Sequence, residues 1–359
     1  MTSARYVLRT AGVADAAGIG DLSLRLGEDP DIHSAEEFAA WWKWMYADNP
    51  AGAGKALVAT DADGRSVGHC GLVPFQYAKG GETLRGGFIC QLMVDTAFRK
   101  SLLFPNMETR LLRESPNDGF DFCFGLVNRP EVIKAHAGLG FRCVGALPVY
   151  ARPYRVQRLI DRRLGAVAPA GRIVAPVVNA LLKTNLSWSS GISTAVQSDP
   201  FGPEMDALVG RVAPRFRICG ARSAAILNWR FMHAPKRRYQ VWVAGERAAP
   251  VGYIALRRMS LKGFDVLVIV DLFFDPGRHD VGRALVSRAH RVALAERVDM
   301  SVCLMNGTDP LLPVLERAGF MRTPESLTLI VHEPRGNADR ISSAALEDWH
   351  LTWFDHDYN

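Results

Sequence analysis

Phe124-Gly125-Leu126-Val127-Asn128, an Arg129-Pro130-Glu131 start, and then Gly138-Leu139-Gly140-Phe141 form a passage that the chain writes twice. Its echo is Val302-Cys303-Leu304-Met305-Asn306, then Gly307-Thr308-Asp309-Pro310, then Arg317-Ala318-Gly319-Phe320. The offset is 178 from Asn128 to Asn306 and 179 from Phe141 to Phe320. Working outward, Gln91-Leu92-Met93-Val94-Asp95 matches Asp271-Leu272-Phe273-Phe274-Asp275 at an offset of 180. Trp44-Met45-Tyr46 with Pro50 matches Trp229-Arg230-Phe231 with Pro235 at 185. Four anchors in one order at nearly one offset read as two copies of one fold.

Each copy has the same order of elements. In the first, Ser34 with Glu37 three residues on is a capping box that opens a helix through Phe38, Trp41, Trp42 and Met45. Strands are predicted near 55–60, 66–77 and 84–95, with an Asp63-Gly64 turn after the first of them. A helix over about 104–114 and a strand over 120–127 follow. Pro130, well placed at a first helical position, starts a short helix before a last strand from Phe141. The second copy repeats this with strands near 239–244, 251–260 and 265–274. A helix capped by Asp280 then runs to about Arg297, followed by a strand at 300–305, a helix at 310–317 and a strand at 327–332. Antiparallel strands followed by helix–strand–helix–strand predict a mixed α/β fold, a mostly antiparallel sheet flanked by helices, built twice in tandem.

At roughly 150 residues per domain, the 359 residues also suggest two domains. Apolar residues at 48% against 22% charged suffice for a core in each. No apolar run reaches the roughly eighteen residues of a spanning helix. The Met1–Tyr6 start has no secretory pattern, and the six cysteines show no paired or zinc spacing. Four of them (Cys90, Cys123, Cys143, Cys303) lie in apolar runs, where a free thiol acts as a small hydrophobe. A reduced, cytoplasmic protein is expected. Residues 151–183 carry seven basic side chains against one acid, which matches the whole net charge of +6. The remainder is near neutral, which argues against a nucleic-acid groove. The segment is read as a connecting arm, with contact to an anionic membrane surface as the alternative.

A strand ending in Asn and a helix ending in Gly-Phe, duplicated in register, resemble the GNAT superfamily of acyl-CoA N-acyltransferases. The resemblance covers most of 30–150 and 220–332, and the chain is similar to tandem-GNAT proteins. The organisation it suggests is a GNAT-like domain at 1–155, a basic arm at 156–195, a second GNAT-like domain at 196–335 and a tail at 336–359. It implies acetyl-CoA, or another acyl-CoA, as co-substrate, no metal, and an amine of a small molecule or sugar as acceptor. In that family an Arg-x-x-Gly-x-Gly/Ala turn at a helix N-terminus holds the CoA pyrophosphate, because anions favour that end. Carried onto the first copy, the turn is Arg99, Lys100, Ser101, Leu102, Leu103 and Phe104, with Leu102 and Phe104 where glycines belong. In the second copy Gly282 and Ala284 keep the small residues, but His279 replaces the arginine.

The family's Tyr-x-x-x-Gly-Phe ending commonly places a tyrosine to protonate the leaving thiolate. That position is His136 in the first copy and Leu315 in the second. An imidazolium can protonate a thiolate of pKa about 8.5, whereas leucine cannot. His136 also suits a helix C-terminus on dipole grounds, and that alternative stays open. The asymmetry makes the first copy the candidate active half. The resemblance further implies that main-chain amides near Met93 and Val94 meet the thioester oxygen, and that Asn128 holds pantetheine or acceptor. Asp95, Glu131 and Glu108 are the candidate bases, Asp95 also being a plain strand end.

Trp41-Trp42-Lys43-Trp44 is either core or a wall for a flat acceptor. Tail residues His350, Asp355, His356 and Asp357 lack regular metal spacing. Two further readings compete: a binding or scaffold protein whose cofactor loops have decayed, favoured by Leu102 and Phe104, and an aminoacyl transferase of the paired-GNAT type.

Overall fold

In the computed structural model, the described residues are 6–155, 191–246, 248–334 and 340–356. Most of the basic arm therefore lies outside them. Of its earlier part, Arg152 is buried in a strand and Arg155 donates to the Arg297 carbonyl.

The first half contains β1 (Val7–Thr10), α1 (Ala16–Leu26), α2 (Ala35–Tyr46), β2 (Lys55–Thr60), β3 (Ser66–Lys79), β4 (Glu82–Val94), α3 (Leu103–Glu114), β5 (Phe122–Val127), α4 (Pro130–Gly138) and β6 (Arg142–Pro153). The second contains β7 (Thr194–Val196), α5 (Pro203–Val212), β8 (Ile218–Gly220), α6 (Ala224–Leu227), β9 (Gln240–Glu246), β10 (Ala249–Leu261), β11 (Phe264–Phe274), α7 (His279–Ala295), β12 (Met300–Leu304), α8 (Leu312–Arg317) and β13 (Met321–His332), with β14 (Trp349–His350) in the tail. Apart from β8, which has no counterpart between α1 and α2, the two halves run through the same order, as the duplicated anchors predict. Ser34 caps α2 by accepting from the Glu37 amide at 3.2 Å. Asp280 lies inside the first turn of α7 rather than at its cap, which is Arg278.

All the main strands belong to one sheet, ordered β1-β2-β3-β4-β5-β13-β6-β12-β11-β10-β9-β7. The two halves exchange their last strands. Instead of returning to β5, β6 pairs with β12, Met300 opposite Pro153. β13 of the second half takes the place beside β5, Thr328 opposite Val127 and His332 opposite Cys123. A segment following the sequence boundary at 155 thus begins after a strand that already lies in the other half's sheet.

One apolar cluster runs through both halves on one face of the sheet, joining residues of α1, α2, α5, α6 and the tail. Two separate clusters lie beneath α3 and beneath α7. Trp44 and Trp229, the matched tryptophans, stack at 4.4 Å across the junction. Each indole donates to the other's carbonyl, Trp44 Nε1 to Trp229 O at 3.0 Å and Trp229 Nε1 to Trp44 O at 2.9 Å. The reciprocity is what two copies facing each other about a local twofold produce. Trp41, Trp42 and Trp44 are all buried, Trp42 against His69 of β3, Trp44 against Trp229 and Trp41 beside Phe38 of its own helix. Of the four cysteines read as lying in apolar runs, Cys90, Cys123 and Cys303 are buried, whereas Cys143 is exposed at the start of β6; Cys70 and Cys219 are buried as well.

Candidate active site

β4 and β5 are parallel neighbours only where Gly86, Gly87 and Phe88 face Phe122, Cys123 and Phe124. Beyond this they part, and a cavity of about 350 Å³ opens between them. Gln91 to Met93 form one wall and Gly125 to Asn128 the other. Ile330 of the exchanged strand β13 lies at its base, Trp41 and Phe38 reach it from α2, and Val132 and His136 line it from α4. Its outer end is polar, with Glu28 and Asp29 from the α1–α2 connection and Arg237 from the second half.

A bulge shapes the β4 wall. The pairing with β3 slips between His69/Met93 and Gly71/Cys90, and Gln91 takes a left-handed backbone, φ +53°. For a non-glycine residue this costs on the order of 1–2 kcal/mol. The Asp95 amide bonds Val67 O at 2.9 Å, so alternation along the ladder turns the Met93 amide towards β3. The amides of Leu92 and Val94 then face the edge that β5 has left. Of the two amides named from the sequence, Val94's therefore faces the gap, and Leu92's stands where Met93's is expected. Gly71, opposite Cys90, is needed because a Cβ there would overlap the Tyr46 ring.

His136 is buried on the α4 side. Its Nε2 lies 3.0 Å from Glu108 Oε1, and its Nδ1 lies 2.8 Å from the Val132 carbonyl. Burial opposes the charged imidazole, but the Glu108 carboxylate and the Val132 carbonyl outweigh it, so its pKa stands above the ordinary 6.5. Glu108 is itself 1% exposed, and its oxygens make no well-aligned hydrogen bond among the described residues. The attraction is thus ionic rather than directional. With both ring nitrogens directed into protein, His136 ties α4 to α3 and offers the cavity a ring edge.

The other sequence candidates are less central. Asn128 is exposed on the β5 wall. Asp95 accepts from the Ala97 amide and pairs with Arg65 at 3.3 Å and Arg25 at 3.5 Å, outside the cavity wall. Glu131 is exposed on the first turn of α4. Arg99 to Phe104 do not line the cavity itself. They follow β4, and the Phe104 ring lies 6.2 Å from that of His136, at the α4 end of the gap. Leu102 is 71% exposed and points away from the core, so it does not plug the gap. The Leu103 amide is taken by Ser101 Oγ at 3.2 Å. Among the described residues the amides of Lys100, Leu102 and Phe104 have no backbone partner. Pro105 removes one more donor from the first turn of α3. This end therefore suits an anion such as a diphosphate, with fewer main-chain donors than an unbroken helix start provides. Sequence reasoning missed Glu28, Asp29, Gln91 and Arg237. The first two precede the capping box with no motif, and Arg237 reaches the site only through the tertiary fold.

The corresponding gap of the second half is filled by the chain's own tail. Asn306, the counterpart of Asn128, donates to Leu346 O at 2.6 Å, and His350 Nδ1 lies 2.7 Å from Asp309. Thr352 Oγ1 donates to Asp271 at 2.9 Å, and β14 pairs with β8. Arg222, fully buried, makes a two-pronged contact with Asp271 at 2.8 and 3.0 Å and reaches Asp355 at 3.5 Å. Gly282 serves packing, since a Cβ there would run into the Phe274 ring. The Asp280 carboxylate, held to a pKa of about 2 chiefly by its bond to Arg278, puts negative charge where a phosphate would sit. His350 and Asp355 are thus engaged within the protein. Among the described residues no three His, Cys, Asp or Glu side chains converge as a metal site.

No protein-family model matches the sequence, and no curated protein matches it. Solved structures do match. A GCN5-related N-acetyltransferase from Anabaena variabilis superposes with a TM-score of 0.62 at 12% identity, over 91% of this chain and 72% of that one. A tandem GNAT protein from the clavulanic acid biosynthesis pathway gives 0.56 at 14% identity, over 92% and 99%. Saccharomyces cerevisiae N-myristoyltransferase with bound myristoyl-CoA gives 0.63 at 12%, over 99% and 84%. The chain has the GNAT superfamily fold, a mixed α/β architecture. It carries that fold twice, in one continuous sheet. No helix among the described residues is long and apolar enough to cross a membrane.

Proposed function

We propose that the β4–β5 cleft of the first half transfers an acyl group from acyl-CoA to an amine. The observation that carries this reading is the cleft itself, with unpartnered amides beyond its α4 end and carboxylates lining its mouth. The co-substrate supplies an activated thioester. The chain's part is to hold the diphosphate near Arg99 and the amides of Lys100, Leu102 and Phe104. The amide of Leu92, next to the bulge, is set to meet the thioester oxygen, stabilising the charge that develops there, and that of Val94, two residues nearer the diphosphate end, to meet pantetheine. Asn128 faces them from the other wall as a hydrogen-bonding group for pantetheine or acceptor. His136 acts through its ion pair to keep α4 in place, because neither nitrogen is aimed at the cavity.

The acceptor enters over Trp41, between Glu28 and Asp29, whose carboxylates favour a cationic amine. Asp29 is paired with Arg237 at 2.7 Å, whereas no ion pair engages Glu28 among the described residues. Glu28 is therefore the group assigned to take the amine's proton, directly or through a water, as the C–N bond forms and the C–S bond breaks, the leaving CoA thiolate taking a proton from solvent. A cavity of about 350 Å³ is near the lower limit for small-molecule sites, which favours acetyl over long acyl chains.

Thiol release from acetyl-, hexanoyl- and myristoyl-CoA, with a panel of small amines and amino sugars, tests this. Acetyl-CoA turnover with at least one amine, reduced ten-fold or more in Glu28→Gln, is the expected result. Failure of the whole chain to bind acetyl-CoA by calorimetry overturns the proposal. It would favour the scaffold reading, which the loss of a donor at Pro105 supports.

A further inference from the structure

The β4 bulge is held from behind by a histidine that does not line the cavity. His69 lies on β3, fully buried. Its Nε2 is 3.2 Å from Trp42 Nε1, and its Nδ1 is 3.0 Å from the main-chain oxygen of Gln91, the left-handed residue of the bulge. Indole N–H can only donate, so Nε2 must accept. A neutral imidazole has one proton, and it is thereby forced onto Nδ1, which donates to Gln91 O. Burial drives the pKa of this ring down to about 4, so the arrangement persists across the neutral range.

The Gln91 side chain is held as well, its Oε1 accepting from Tyr46 Oη at 3.3 Å. Tyr46 stacks on Trp42 at 4.7 Å, so one face of α2 grips both the main chain and the side chain of Gln91.

The second half provides an internal comparison. Gly68 faces Val94 as Gly252 faces Phe274, which makes Tyr253 the counterpart of His69 and Asp271 that of Gln91. There the contact runs between side chains, Tyr253 Oη donating to Asp271 Oδ2 at 2.5 Å. Asp271 is not left-handed, and that gap holds the tail. The histidine-to-carbonyl hold and the left-handed bulge thus occur together, in the half that retains an open cleft.

We infer that His69 is a positioning residue: as the Nδ1–H tautomer fixed by Trp42, it holds Gln91 in its left-handed bulge and so aims the neighbouring Leu92 amide at the thioester oxygen. The inference rests on the proposed acyl-CoA reading.

The test compares CoA and acetyl-CoA binding to the full-length protein by calorimetry, since only the latter carries the thioester oxygen. His69→Leu is expected to lower the ratio of Kd for CoA to Kd for acetyl-CoA by about fivefold, the scale of one lost hydrogen bond, with CoA affinity within twofold of the unaltered protein. His69→Asn keeps a donor near the Nδ1 position and is expected to restore most of the ratio. Should His69→Leu fail to fold, Trp42→Phe frees the tautomer and is expected to move the ratio the same way. Nitrogen-15 spectra of histidine-labelled protein are expected to show a protonated Nδ1 at His69 that does not titrate between pH 5 and 8. An unchanged ratio in the leucine variant, equal weakening of both ligands, no rescue by asparagine, or an Nε2–H tautomer would each overturn the inference. No CoA binding by the unaltered protein would instead remove the acyl-CoA reading on which it rests.

Discussion

Replacing Glu108 by methionine leaves the His136 imidazole in a pocket with no counter-charge, and replacing His136 by phenylalanine strands the Glu108 carboxylate. Both side chains are almost completely buried, and they lie 3.0 Å apart. Removing one partner of a buried ion pair costs about 3–5 kcal/mol, whereas replacing both by apolar residues of similar size is close to neutral. Each single variant should therefore lose about 3 kcal/mol or more, while Glu108→Met with His136→Phe recovers most of it. Urea denaturation followed by tryptophan fluorescence gives the four midpoints of the cycle. The pH dependence has a definite sign. The folded pKa of His136 is raised, so the pair's contribution is complete below the unfolded value of about 6.5 and declines as pH rises through the folded one. The difference between the parent and the double variant should follow that course. Additive single losses, with coupling below about 0.5 kcal/mol, would show that the two groups do not act together, and the anchoring role assigned to His136 would fall with it.

Other expectations follow from the same geometry. Acetyl-CoA should bind with a stoichiometry of one per chain by calorimetry, because the second gap is filled by residues 346–355, and Arg99→Glu should weaken that binding at least tenfold; two equivalent sites would contradict the filled gap. Gly282→Ala should destabilise by about 1–3 kcal/mol through overpacking against Phe274, read by thermal melting, with acetyl-CoA affinity unchanged. A fragment of residues 1–155 should not form a monomer of native stability, since β5 would lack β13 and β6 would lack β12; size-exclusion and circular dichroism would show a self-associated or unfolded species, and a stable monomer would refute the exchange.

The sequence made the duplication legible because its anchors are local. The Asn at a strand end, the Gly-Phe after a helix and the matched tryptophans each reflect a backbone or packing need met within a few residues. The order of strands within each half followed from these, and the structure reproduces it. The exchange of β6 and β13 was not legible. A strand's alternation specifies which face is apolar and says nothing about which neighbour it pairs with. The cofactor turn was readable as a position, but the consequence of Leu102 was not. Its side chain turns outward, and the donor actually lost is that of Pro105. Asp95 drew attention as a carboxylate at the right place in the chain, yet its oxygens are committed to Ala97, Arg65 and Arg25. Glu28 and Arg237 meet at the cavity from residues far apart in sequence, a juxtaposition that only the fold creates.

The two gaps began from the same geometry and have been put to different uses. In the first, β4 bends at Gln91 and a neutral histidine holds the bend by its main chain, leaving the space beyond it open. In the second, the matching residue is Asp271, and a carboxylate there cannot remain buried without a counter-charge. Arg222 supplies the charge, and Tyr253 and Thr352 supply the remaining hydrogen bonds. Thr352 belongs to the tail, so satisfying Asp271 draws the tail into the gap. Once it is there, Asn306 and Asp309 bind it too, so the counterpart of Asn128, which lines the open cleft in the first half, faces protein in the second. The filled half is also what completes the open one: it lends β13 to the cavity base through Ile330 and sets Arg237 against Asp29 at its mouth. Loss of ligand space on one side and completion of the site on the other are therefore consequences of the same tandem arrangement.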